Sequence, residues 1–211
     1  MTFRLIELQV TTNFSFLQGG SRAQELAAQA AALGYEAIGV TDRNTLAGIV
    51  RAFDGCERAT QQIAPIRLIV GCRLDLTDAP SLLCYPEDRA AYGRLCRLLS
   101  LGKKRGGKAK CLLGWEDVAL HAEGLIAVLV PDEPDASCAA QLRRLADTFG
   151  FQAHLALTLR RRPRDRCLAA EGVAFEDFAG LDFLAGEPGV PGGHATGAVQ
   201  QRVLQDPVRI G

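Results

Sequence analysis

Gln9 and Thr11 stand two residues apart at the end of an apolar run, and in a strand that spacing turns both side chains to one face. A pair of histidines there would hold a divalent cation. An amide and a hydroxyl are weak, neutral ligands that cannot offset the cost of dehydrating clustered cations. The next polar cluster, Thr41-Asp42-Arg43-Asn44, offers one carboxylate with a permanent cation directly beside it. Lys103, Lys104, Arg105, Lys108 and Lys110 form the dense basic stretch of the chain and could neutralise several phosphates of DNA. They carry no interleaved aromatic platform for unstacked bases, and a solvated, Gly-rich loop is the simpler reading. No Ser, His and Asp fall in a nucleophile-elbow context, and neither a P-loop nor a G-x-G-x-x-G occurs.

These residues need elements to hold them. A strand from Phe3 to Val10 leads through Gly19-Gly20 to a helix with Ser21 as N-cap and Gln24 three residues on, a capping-box arrangement. Leu26, Ala30 and Leu33 supply its buried face, and Gly34 ends it. A short strand, Ala37 to Val40, delivers Asp42 to a loop, with Asn44 in a capping position before a helix whose apolar positions are Leu46, Ile49, Val50 and Phe53. Extended runs follow at Ile66 to Val70, Arg73 to Leu76 and Leu82 to Tyr85, then a helix from about Glu87 carrying Tyr92, Leu95, Leu98 and Leu99. After the basic stretch, Trp115 to His121 reads as a short helix and Leu125 to Val130 as a strand buried on both faces. A helix from about Asp135 to Phe149 and a strand from Phe151 to Leu159 close the series. His154 falls in that apolar strand and reads as a hydrogen-bonded core residue, whereas His121 and His194 read as solvent-facing. Alternating strands and helices imply a mostly parallel sheet, open or closed into a barrel.

The 211 residues are 48% hydrophobic and 23% charged, within the range of one globular domain, and from about residue 170 the apolar patterning weakens. Twenty-four basic and 24 acidic residues cancel, so no global field draws the chain onto nucleic acid or an anionic membrane. No apolar run approaches the ~20 residues that span a bilayer and the start is not a signal peptide, so a cytoplasmic protein is expected. Seven widely spaced cysteines without a C-x-x-C pair argue against both a disulfide framework and a zinc ribbon.

The segment from Ile6 to Ser21, with Asn13-Phe14-Ser15-Phe16-Leu17 after the strand, resembles the first motif of the PHP domain that opens bacterial C-family DNA polymerases, the DNA polymerase III alpha subunit family. Thr41-Asp42-Arg43 resembles its second motif, Thr-Asp-His, and Gly71-Cys72-Arg73 its third, Gly-x-Glu. Gly189-Val190-Pro191 with Ala195 to Val199 resembles a late motif, and the Leu-Gly-Lys-Lys-Arg run resembles the error-prone branch. The resemblance implies a distorted (β/α)7 TIM-like barrel as one domain over residues 1–211, without palm, fingers or thumb. It also implies a mouth where active members bind Zn, Mn or Mg to hydrolyse phosphate esters.

Position by position, the resemblance maps a vestigial metal site onto Gln9, Thr11, Asp42, Arg43, Arg73, Cys84, His154 and Ala198. Guanidinium groups at Arg43 and Arg73 would repel cations, and Asp42 is expected to form a salt bridge with them. The expectation is a degenerate PHP domain with no cofactor and no polymerase or phosphoesterase activity of its own. It would serve as a structural or interaction module in replication and translesion repair, with the remaining polymerase domains as partners and DNA or other mutagenesis proteins as further ones. Two alternatives stand beside it: an active phosphoesterase recruiting Asp42, Cys84, His154 and His194, and a DNA-binding module acting through residues 103–110.

Overall fold

The computed structural model describes residues 5–131 and 136–156. Within them, β1 (Leu5–Val10), β2 (Tyr35–Val40) and β3 (Arg67–Val70) form a parallel three-stranded sheet, linked by α1 (Ala23–Ala32) and α2 (Ile49–Gln62). A second sheet takes β4 (Cys72–Leu74), β5 (Ser81–Pro86), β6 (Leu125–Val130) and β7 (Ala153–Leu155) in that order, with α3 (Arg89–Gly106), α4 (Trp115–Ala119) and α5 (Ala136–Phe149) between the last three. There the β4–β5 and β5–β6 pairs are antiparallel and only β6–β7 is parallel, so the expectation of a mostly parallel sheet holds for the first sheet and is corrected for the second. The tight return from β4 to β5 is what makes that pairing antiparallel, since it leaves no room for a crossover helix.

Side-chain alternation sorts the apolar residues into layers. Ile6, Leu8, Ala37, Ile69, Leu83, Tyr85, Ile126 and Val128 pack between the two sheets. The opposite face of the first sheet meets α1 and α2 through Ile38, Val40, Ile49 and Ala52. The opposite face of the second meets α3, α4 and α5 through Leu74, Leu82, Leu95, Trp115 and Leu145. All six residues of β6 are buried, as a strand covered on both faces requires. The Tyr85 hydroxyl ties the sheets together by donating to the Leu8 carbonyl oxygen at 2.8 Å.

Helix faces differ from the expected ones. The buried residues of α1 are Ala23, Ala27, Ala30 and Ala31, while Leu33 is 60% exposed. On α2 they include Ile49, Ala52, Cys56 and Ala59, leaving Val50 and Phe53 exposed. Close packing explains the choice: a Cβ on Gly55 would lie 2.7 Å from the Gln24 Cα, so the seam between the helices has room only for small residues. The start of α1 also moves by one position, with Arg22 as N-cap and the Glu25 carboxylate accepting from its N–H at 2.9 Å. Gly34 does end the helix, at a φ of 81°.

Two further corrections concern polar residues. The run from Gly102 is not a loop, because α3 continues to Gly106 and carries Lys103, Lys104 and Arg105 in its last turn. Cations are favoured there by the helix dipole. Asn44 does not cap α2, whose N-cap is Gly48. It adopts a left-handed φ of 52° and its side-chain oxygen accepts from the Asp75 N–H at 3.0 Å.

Candidate functional site

Asp42 follows β2 and is 1% exposed. A carboxylate so placed must be satisfied by neighbours, and the loop after β1 supplies them. Thr12 donates from its N–H to Oδ1 at 2.8 Å and from its hydroxyl to Oδ2 at 2.7 Å. Ser15 donates from its hydroxyl to Oδ1 at 2.7 Å while accepting from the Arg43 N–H at 2.9 Å. Gly48 closes the nest, since a Cβ there would lie 2.7 Å from Asp42 Oδ2 and 3.2 Å from the Thr12 hydroxyl. Asp42 is therefore held by neutral donors, and the expected salt bridge to Arg43 or Arg73 is replaced by this arrangement.

Both arginines turn instead to Asp75, just after β4. Arg43 Nη2 donates to Oδ1 of its carboxylate at 3.1 Å, and Nε lies 2.9 Å from Oδ2 as an ion-pair contact. Arg73 Nε lies 3.5 Å from Oδ1, and its Nη2 donates to the Ser81 hydroxyl at 3.1 Å. Ser81 in turn donates to Asp75 Oδ1 at 2.8 Å. Backbone pairing sets the geometry, because Asn44 N–H donates to the Arg73 carbonyl oxygen and Arg73 N–H to that of Asp42. The loop after β2 thus extends the ladder onto β4, with Arg43 and Arg73 as bridge partners. Two guanidinium groups share one carboxylate, leaving the cluster cationic.

Among the described residues no three His, Cys, Asp or Glu converge on a common point. Asp42 has its oxygens engaged by Thr12 and Ser15, and the residue that follows it in sequence is Arg43.

A profile of the PHP domain matches residues 7–174. The chain belongs to the PHP domain family. It is 64% identical over 160 residues to error-prone DNA polymerase 2 of Agrobacterium fabrum, covering 76% of this chain and 14% of that protein. To error-prone DNA polymerase 1 of the same organism it is 51% identical over 206 residues, covering 97% and 18%. The chain thus spans less than a fifth of the length of these curated relatives. Among solved structures, a proposed metal-dependent phosphoesterase from Bifidobacterium adolescentis superposes with a TM-score of 0.64 at 14% identity, over 97% of both chains. An amidohydrolase from Chromobacterium violaceum with bound sulfate and no metal gives 0.55 at 12% identity, over 72% of this chain and 76% of that one. At such identities the likeness speaks for the fold alone.

The other candidate residues of this PHP domain take different surroundings. Gln9 and Thr11 are half-buried at the end of β1, and the Gln9 N–H donates to the Glu7 carboxylate at 2.9 Å. Cys84 belongs to the core beneath α3 and α5, where burial pushes its thiol up to about 12, so a thiolate ligand is disfavoured at neutral pH. Cys72, opposite Cys84 across β4 and β5, is raised for the same reason and by Cys84 itself. His154 is buried on β7 opposite Val128 of the inter-sheet core. His121 is half-buried, its Nδ1 2.8 Å from the Asp117 carbonyl oxygen, rather than solvent-facing. Arg105 pairs with Asp117 at 2.6 Å, and Lys108 and Lys110 follow in a turn. Ala198, His194, Cys167 and the late motif lie outside the described residues.

Sequence reasoning expected Asp42 to pair with Arg43 or Arg73, and missed Thr12, Ser15, Asp75 and Ser81, which are the side chains these groups meet. One signal for Asp75 was available: it stands two residues after Arg73, on the same face of an extended run.

Proposed function

We propose that this chain is the degenerate, metal-free PHP domain of an error-prone C-family DNA polymerase, acting as a structural and interaction module for the remaining polymerase domains in replication and translesion repair. The observation that carries this reading is the Arg43–Asp75–Arg73 cluster, which puts cations and an ion-pair tie where the family places metal ligands. Its second support is Asp42, whose oxygens already serve the Thr12–Ser15 loop. In this reading the two sheets, with a shared core between them and helices outside, are walls of a distorted (β/α)7 barrel. Nucleotide transfer belongs to other domains of the parent protein, and the chain alone neither polymerises DNA nor hydrolyses phosphate esters.

The test is metal analysis of protein purified without chelator, joined to thermal unfolding with and without EDTA and to p-nitrophenyl phosphate hydrolysis in added Mn or Zn. The expected result is substoichiometric metal, a melting temperature unchanged by EDTA, and no hydrolysis above buffer. Stoichiometric metal, or hydrolysis that EDTA abolishes, would restore the phosphoesterase reading.

A further inference from the structure

A cleft of about 610 Å³ lies apart from the Arg43–Asp75–Arg73 cluster, lined by Asn13, Phe14, Arg22, Gln24, Glu25, Arg51 and Arg58. Its three arginines come from two elements, Arg22 capping α1 and Arg51 with Arg58 seven residues apart on α2, two helical turns on one face. Their charge is only partly answered. Glu25 spends one oxygen on the Arg22 N–H, and Arg58 pairs with Asp54 at 3.0 Å, both side chains being well exposed. Arg51 has no ion-pair partner among the described residues.

Phe14 lines this cleft, and Phe16 and Leu17, which follow it on the same loop, are 84% and 87% exposed. The loop is not loose. Asn13 N–H donates to the Ser21 carbonyl oxygen, Ser15 N–H to that of Thr12, and Gln18 and Gly19 N–H to that of Ser15. The Ser15 hydroxyl anchors it to Asp42. Leu17 takes a φ of 62°, a left-handed conformation that a branched side chain rarely adopts. A pre-ordered loop that presents rings beside guanidinium groups binds without a large ordering cost.

We infer that this cleft binds single-stranded nucleic acid, with Arg22, Arg51 and Arg58 on successive phosphates and Phe14 stacked against a base. Guanidinium groups match phosphate oxygens two at a time, and a ring supplies the sequence-tolerant face that unpaired bases use. A duplex offers no free base face to Phe14, so single strands bind more tightly. This assignment does not depend on the metal-free reading of the Asp42 site, and it moves nucleic-acid contact away from Lys103 to Lys110.

The test is fluorescence anisotropy of the full 211-residue chain with labelled oligothymidylate, at salt concentrations from 50 to 200 mM in the range where counterion release is readable. Three phosphate contacts predict a slope of log affinity on log salt of about −2, and each of Arg22→Glu and Arg51→Glu removes about 0.7 from it with a tenfold or greater loss at low salt. Phe14→Ala weakens binding several-fold and leaves the slope unchanged, while the Lys103→Glu, Lys104→Glu double variant binds like the parent. Circular dichroism confirms that each variant is folded. Competition that needs the oligomer supports a strand in the cleft, whereas thymidine triphosphate competing equally well at micromolar concentration would assign the cleft to a single nucleotide and overturn the proposal. No binding at 50 mM salt, loss on reversal of Lys103 and Lys104 instead, or equal competition by polyglutamate with no effect of Phe14→Ala would each overturn it.

Discussion

Asp42 and Asp75 sit at neighbouring points of the same junction, yet they are stabilised by opposite means. Asp42 is buried and surrounded by hydroxyls and an amide, all neutral. Asp75 is one-third exposed and wedged between two guanidinium groups. The first arrangement is short-range and directional, so salt leaves it almost untouched. The second is coulombic, partly solvated, and open to screening. The comparison shows how one region can order a loop through a single carboxylate while its neighbour ties two sheets together by charge.

Substituting the two carboxylates separates these mechanisms. Asp42→Asn turns an amide nitrogen toward donors that need an acceptor, and the expected cost is about 2–4 kcal/mol, read as a lower urea midpoint that salt does not change. Asp75→Asn is expected to cost about 1 kcal/mol at low salt, with the deficit shrinking as salt rises. Equal losses with equal salt dependence would erase the distinction drawn between the two sites.

A smaller effect is expected from a third carboxylate, which combines both means. The Gly114 N–H first, and then the Arg105 guanidinium, hold the Asp117 carboxyl below its usual range. A depressed folded value stabilises the protein above the unfolded carboxylate value and loses that contribution as pH falls through the folded one, so the window lies below about pH 4. Melting temperatures of the parent and Asp117→Asn should therefore differ at pH 6 and converge toward pH 3. A gap that stays constant over that interval would show the charge of Asp117 to be irrelevant.

What could be read from the chain follows the range of the forces involved. Gly34 and the all-apolar β6 were legible because a left-handed stop and a strand buried on both faces are local facts. The position of Asp42 was legible for the same reason, at the end of an apolar strand. Its partners were not, since Thr12 and Ser15 lie about thirty residues away and are ordinary loop hydroxyls in the sequence. The alanine face of α1 was hidden because its cause is Gly55 on another helix. The basic run read as a loop because lysines carry no apolar period, although they form helices readily and suit a C-terminal turn. Cys84 was misplaced through alternation: its neighbour Tyr85 faces the inter-sheet core, and Cys84 itself faces the helices.

The pairing of β1 with β2 slips between Glu7 and Val10, so that Leu8 and Gln9 together oppose Gly39 alone. Ile6 and Leu8 consequently face the inter-sheet core, whereas Val10, of the same parity, faces the helix side. Chain length at this point is therefore as strongly specified as chemistry. Deleting one residue between Glu7 and Val10 would regularise the ladder and at the same time reverse the aim of every residue after it, taking Thr12 and Ser15 away from the carboxylate that orders them. An alignment gap at that position, more than any substitution, would mark a relative whose loop is built differently.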